Sequence, residues 1–407
     1  MIIQLNMIQS IGLAVIFLLL GKVLKDSIPL FSRYAIPSPV IGGLIFSILH
    51  MILRQNNIAS FEFDTTLQNF FQIMFFCTVG FNASFKMLKI GGKQVLIFLL
   101  ISTVFAFLQN ALAVGLAGIV GIDPLLALLT ASPALTGGHG TSAAVAPSIE
   151  ALGYPQALTV ALTAATFGLV AGSLLGSPMA NRLIVKNNLL NKKKLQPSDE
   201  PNFDLSIVEK TTTILDPNKV SMAFFQILIA MFLGTYLTDA LNAFVRQWSS
   251  TVTFPAYIGA MLVAAVIRNI SDASSFIKTP LEEVEVVEQV SLNLFLGMAL
   301  ITLKLWQLVD LALPMLILLL AQCVMMYLYG IFVSYPLMGK NYDSAVMVAG
   351  LTGFAMGSTS NAMANMNSIT EKYVYSRTAF FIVPIVGSLF IDFINIGIIQ
   401  GFIGFLS

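Results

Sequence analysis

Charged side chains are scarce in this sequence, at 10% of 407 residues, where a soluble domain averages about 25%. A water-soluble fold is therefore the wrong starting point. The 21 Lys and Arg stand against 20 Asp and Glu for a formal net charge of +1. Without a basic excess the chain cannot neutralise the phosphates of a nucleic acid. Cysteine is nearly absent: Cys77 and Cys323 sit inside apolar runs as small packing residues. They offer no disulfide framework, no metal cluster and no sign of an oxidising compartment. Histidine occurs twice, at His50 and His139, and no Ser-His-Asp or His-Glu-x-x-His arrangement is present. A zinc site and an intramembrane hydrolase therefore lack their working groups.

What remains is apolar: 57% of residues are hydrophobic, and mean hydropathy is +0.86. One helical crossing takes about 20 such residues, so about 200 residues would supply ten. Ten segments fit, near 8–25, 36–53, 67–85, 94–120, 155–185, 220–243, 254–270, 287–304, 311–335 and 378–404. The apolar run 11–20 is followed by Lys22 and Lys25 and preceded by no basic residue. That is the reverse of a secretory signal, and it reads as a retained first helix.

Placing the N-terminus outside sorts the charge. Of the 21 Lys and Arg, all but Arg54, Arg246 and Lys304 then fall inside, a strong positive-inside bias. Trp248 and Trp306 fall at outer helix ends, where amphipathic rings prefer to lie. Both termini are expected outside. The polar stretch 186–219, with Lys192, Lys193, Lys194, Pro197 and Pro201, reads as a cytoplasmic linker between halves 1–185 and 220–407. Glu282, Glu283, Glu285 and Glu288 open the eighth span, at a helix N-terminus whose dipole favours negative charge.

The halves match at an offset near 220: Phe75 with Phe295, Leu88 with Leu308, Asp123 with Asp343, Ser148 with Ser368. Five crossings per half is an odd number, so the second half is expected upside down relative to the first. Inverted repeats of this kind are the plan of many secondary transporters. The fold class expected is an all-α polytopic membrane protein of two inverted five-helix repeats, each with a re-entrant hairpin.

The hairpins are expected at about 123–153 and 343–370, two apolar regions interrupted by Gly, Ser and Thr. Arms of about a dozen residues span roughly 18 Å, little more than half the hydrocarbon thickness. Entering from opposite faces, their tips would meet near the midplane. Irregular backbone at that depth must be buried in protein or line a cavity, where helix N-termini can hold an anion and freed carbonyls a Na⁺. Close helix packing by small residues is the competing reading.

Several side chains stand out. His139, in Thr136-Gly137-Gly138-His139-Gly140-Thr141, reads as a structural hydrogen-bonding group, as a substrate or proton contact, or, least, as a metal ligand. Asp392 falls mid-span, where a carboxylate is a functional hypothesis by default. Ser388 and Asn395 share its helix face at four and three positions' remove. Gln109 and Asn110 are either ligands or interhelical hydrogen-bonders. Thr163 and Thr166 can bond their own helix backbone.

In these segments the sequence closely resembles the sodium/glutamate symporter family of bacterial inner membranes. The resemblance is carried by Thr136 to Thr141, Ala165-Thr-Phe-Gly-Leu-Val170, Leu303-Lys-Leu-Trp306, Met338-Gly-Lys-Asn-Tyr-Asp343, Ala362 to Met366, and Val383-Pro384 with Phe390-Ile-Asp392. It implies Na⁺-driven L-glutamate uptake by a homodimer embedded in lipid. By analogy, a fixed scaffold of early helices would flank a moving body that carries both hairpins, an elevator. Gly357, Ser358, Thr359, Ser360 and Asn361 stand where the family pattern leads one to expect Gly-Ala-Thr-Pro-Thr.

The site expected on these grounds places substrate among Thr136, Gly137, Gly138, His139, Gly140 and Thr141 and among Gly357, Ser358, Thr359, Ser360 and Asn361. Na⁺ would bind among Asp392, Asn395, Ser388, Asn110 and Asn365, with Na⁺ the coupling ion and no cofactor. Arg377 is a further possible cationic partner. A carrier of another dicarboxylate, a Na⁺/H⁺ antiporter and a channel stay open as alternatives.

Overall fold

The structure is a computed structural model that describes residues 2–34, 36–190, 215–247, 254–274 and 278–407. Most of the expected cytoplasmic linker, and Trp248, lie outside the described residues. A short parallel pair of strands, β1 (Ile2–Leu5) and β2 (Ser60–Phe63), ties the N-terminus to a later loop. The helices of the first half are α1 (Met7–Ser27), α2 (Ser38–Gln55), α3 (Thr66–Asn82), α4 (Phe85–Val120), α5 (Gly138–Glu150) and α6 (Ala157–Lys186). Those of the second are α7 (Pro217–Val245), α8 (Ala256–Ala273), α9 (Leu281–Ile301), α10 (Ala312–Leu337), α11 (Tyr342–Met356), α12 (Thr359–Lys372), α13 (Arg377–Ile385) and α14 (Ile391–Leu406).

Local chemistry sets these boundaries. Asn6 and Gln9 form a capping box that starts α1, and Asn341 with Ser344 does the same for α11. At the far end of α4, Gly121 takes the left-handed conformation at φ 72°, the usual glycine stop. Glu282 and Glu283 occupy the first turn of α9, as the dipole argument expects.

Among the described residues eight helices are long and apolar enough to cross a membrane, or nine if the last pair, bent by 41°, is one span. The expected crossing near 67–85 is α3, of 17 residues, which at 1.5 Å per residue reaches about 25 Å, slightly short of the hydrocarbon thickness.

The helices pack as two bodies. In one, α3 lies against α8 and α9, α1 against α2, and α7 against α8. In the other, α6 is the hub: α5, α11 and α12 all pack on it, while α4 joins α10, α13 and α14. Between the bodies the packing is sparse and runs mainly through α9 against α5.

The first hairpin differs from the two simple arms expected. Its entering arm is split into turns Pro124–Leu128 and Ser132–Leu135, whereas α11 and α12 make two intact arms in the second. The split has a local cause. Pro133 starts the second turn, where its missing N–H costs nothing, and the N–H of Ser132 is held by Asn110 of α4 instead, at 3.0 Å. At both hairpin bases an aspartate makes the closure. The Tyr154 hydroxyl donates to Asp123 at 2.7 Å, and the Ser376 hydroxyl donates to Asp343 at 2.6 Å.

Candidate functional site

The two breaks meet. Gly138 begins α5 at φ +64°, and a Cβ there would lie 3.1 Å from the carbonyl oxygen of Gly357, the last residue before the turn into α12. Ser358 caps α12 by accepting the Asn361 N–H at 3.3 Å. The α5 and α12 N-termini thus open on one cavity of about 180 Å³. Its hairpin wall is Thr136, Gly137, Gly138, His139 and Gly140 with Gly357, Ser358 and Thr359. Gly387 and Asp392 close it from the last span, and Phe75 of α3 with Leu292 and Leu296 of α9 close it from the other body.

Hydrogen bonds fix what each side chain can still do. Gln109 of α4 bridges the hairpins: it accepts from the Thr136 hydroxyl at 2.6 Å and donates to the Ala355 carbonyl at 2.9 Å. His139 Nε2 meets the Thr166 hydroxyl at 3.0 Å, and that hydroxyl donates to Leu162 O at 2.8 Å. With its proton so used, Thr166 accepts from Nε2–H, and His139 Nδ1 is left as an acceptor. The Thr359 hydroxyl donates to the Gly387 carbonyl at 3.1 Å, tying the second tip to the last span. Asp392 faces the cavity and makes no hydrogen bond among the described residues. The arrangement offers backbone N–H groups and two helix dipoles to an anion, beside a carboxylate with open coordination for a cation.

The expected site residues separate into groups. Thr136, Gly137, Gly138, His139, Gly140, Gly357, Ser358, Thr359 and Asp392 come together at the cavity. Thr141 is buried behind it, against the backbone of Gly137. Ser360 is exposed and does not line it. Asn361 and Asn365 pin α12 to α6, donating to Leu169 O at 2.8 Å and to Gly172 O at 3.0 Å. Asn110 and Asn395 serve the split in the first hairpin, where Asn395 donates to Ser132 O at 3.2 Å. The Asn395 Oδ1 and Ser132 Oγ there are buried without a partner among the described residues. Ser388 lies in the π-helical turn before α14 and does not line the cavity, nor does Arg377.

A model of the family described as sodium/glutamate symporter matches residues 3–375. The chain belongs to the sodium/glutamate symporter family. The sodium/glutamate symporter of Escherichia coli (strain K12) is 38% identical over 400 residues, covering 98% of this chain and 97% of that protein. The one from Haemophilus influenzae is 33% identical over 396 residues, covering 96% of each. Among solved structures, a sodium proton antiporter from Methanocaldococcus jannaschii aligns over 98% of each chain at 15% identity and a TM-score of 0.42. That likeness is too loose to bear on mechanism. The symporter family match takes in both hairpins and ends before the last span, while the alignment with the E. coli symporter runs over nearly the whole chain.

The sequence did not reveal Phe75, Leu292 and Leu296. They are ordinary apolar residues in apolar helices, and only the docking of one body on the other turns them toward the cavity.

Proposed function

We propose that this chain is a secondary active transporter that couples Na⁺ entry to uptake of L-glutamate across the bacterial cytoplasmic membrane. The observation that carries this reading is the cavity where two hairpin tips, two helix N-termini and the unpartnered Asp392 converge. Its relatives, named sodium/glutamate symporters, supply the substrate and the ion. Substrate carboxylates meet N–H groups at the starts of α5 and α12. Na⁺ binds at Asp392 and, as a second candidate, at the open oxygens of Ser132 and Asn395. Bound Na⁺ offsets the anion's charge, so the loaded body crosses the apolar layer and the body carrying substrate alone does not.

The packing supports alternating access. The body built on α6 carries both hairpins and meets the other body over a sparse interface, which supports an elevator-like slide of one against the other. The same order of elements in each half supports inverted repeats. We take the transporter to work as a homodimer, with both termini outside and the central linker in the cytoplasm.

Proteoliposomes with an inward Na⁺ gradient test this. Labelled glutamate should accumulate, and excess unlabelled glutamate should compete it out better than other dicarboxylates. Proton movement driven by Na⁺ without glutamate would overturn the symport reading in favour of an antiporter. Flux that survives cross-linking of α9 to α5 would overturn it in favour of a channel.

A further inference from the structure

A second cavity, of about 530 Å³, lies between the same two bodies at the end where α2 finishes and α5 ends. Its walls bring together groups of both signs: Lys304, Glu150 and Glu62, with His50 and Gln68. His50 and Gln68 are 4% and 5% exposed, and each keeps a polar atom, Nδ1 and Oε1 respectively, without a partner among the described residues. The tautomer of His50 is fixed. The Phe61 N–H donates to His50 Nε2 at 3.0 Å, so the neutral ring carries its proton on Nδ1. The cavity wall therefore holds a donor suited to carboxylate, Lys304, and an acceptor suited to ammonium, Glu150, with the buried His50 and Gln68 behind them.

This cavity is in line with the central one. Gln68, Gln72 and Phe75 follow one face of α3, while Pro147, Ala144 and Gly140 follow one face of α5. The ends of this ladder are the two cavities, about 10 Å apart along α5. Its middle rung is a hydrogen bond from Gln72 Nε2 to Ala144 O at 3.4 Å, which closes the passage.

We propose that the cavity at Lys304 and Glu150 is a vestibule subsite that captures the zwitterionic amino dicarboxylate before it reaches the central cavity. This rests on the proposed glutamate transport. The subsite needs no added Na⁺ for its local pairings, because Lys304 can meet a substrate carboxylate and Glu150 the ammonium.

Trp306 reports on it, lying 5.4 Å from the His50 ring with the Arg54 guanidinium 4.2 Å from its own. Trp248→Phe leaves Trp306 as the single tryptophan. Titrating that protein with L-glutamate in Na⁺-free buffer should give a saturable change in fluorescence, which persists with Asp392→Asn and is lost with Lys304→Gln. In proteoliposomes Lys304→Gln should raise KM about tenfold with kcat kept. A fluorescence response that Asp392→Asn abolishes, or one that Lys304→Gln leaves intact with an unchanged KM, overturns the subsite. Wild-type protein that fails to accumulate glutamate overturns the transport reading instead.

Discussion

Replacing Gly138 by alanine probes the meeting of the hairpin tips. Gly138 has φ +64°, and the added methyl would sit 3.1 Å from the Gly357 oxygen, so the tips must part by a few tenths of an ångström. The left-handed backbone alone costs an L-residue about 1–2 kcal/mol. Gly121 supplies the control, because its φ is +72° and a Cβ there meets nothing within 4 Å. Both substitutions should lower the stability of the purified protein by about 1–2 kcal/mol. Only Gly138→Ala should also disturb binding. A 1 Å misplacement costs roughly 100-fold in rate, so a shift of about 0.3 Å should cost about fourfold. The assay is Na⁺-driven glutamate uptake into proteoliposomes, normalised to folded protein and paired with thermal unfolding in detergent. If Gly138→Ala and Gly121→Ala transport alike, the tip contact does not shape the site.

Three further outcomes follow from other parts of the structure. Asp392→Asn removes the open carboxylate in the cavity and should shift Na⁺ activation of uptake to higher concentration by at least about tenfold, equal to 1.4 kcal/mol; unchanged Na⁺ dependence removes Asp392 from the ion site. Tyr154→Phe deletes the 2.7 Å bond to Asp123 at the hairpin base and should cost about 1 kcal/mol of stability, less than the roughly 1.5–3 kcal/mol of a bond to a charged group because this pair is only part-buried; a protein as stable as wild type contradicts that closure. Burial raises the Glu150 carboxyl above its ordinary 4.5, against smaller lowering effects from the Leu158 N–H and Lys304. The folded state thus holds this proton more tightly than the unfolded one, and stability falls as pH rises from the ordinary value through the raised one. Glu150→Gln should flatten thermal stability across that window, and an equal slope in both proteins refutes the assignment.

The sequence made the two helix breaks legible because each combines Gly, Ser and Thr within an otherwise apolar run. It located Asp123 and Asp343 as a repeated pair, and the structure gives that pair its task of closing the two bases. Motif reading ran too far within each break. A helix turns about 100° per residue, so of the consecutive residues starting α12 only Ser358 and Thr359 face the cavity, while Ser360 and Asn361 turn away. The split at Ser132 was not legible, since it depends on Asn110 and Asn395 arriving from two distant helices. Asn365 is a similar case: the residue type suits an ion ligand, yet its amide donates to carbonyls of α6 and α11.

Neutral amide and hydroxyl groups bonded to backbone carbonyls hold the hairpin-bearing body together: Asn361 and Asn365 to α6, Gln109 to Ala355, Gln322 to Gln109 and Tyr329 to Ile101. The ion pair of Arg268 with Asp272 belongs to the other body. Bonds of that neutral kind are not screened by dissolved ions. A machine proposed to work between high and low Na⁺ is thus stitched largely by contacts indifferent to ionic strength, the aspartate closures at the two hairpin bases excepted.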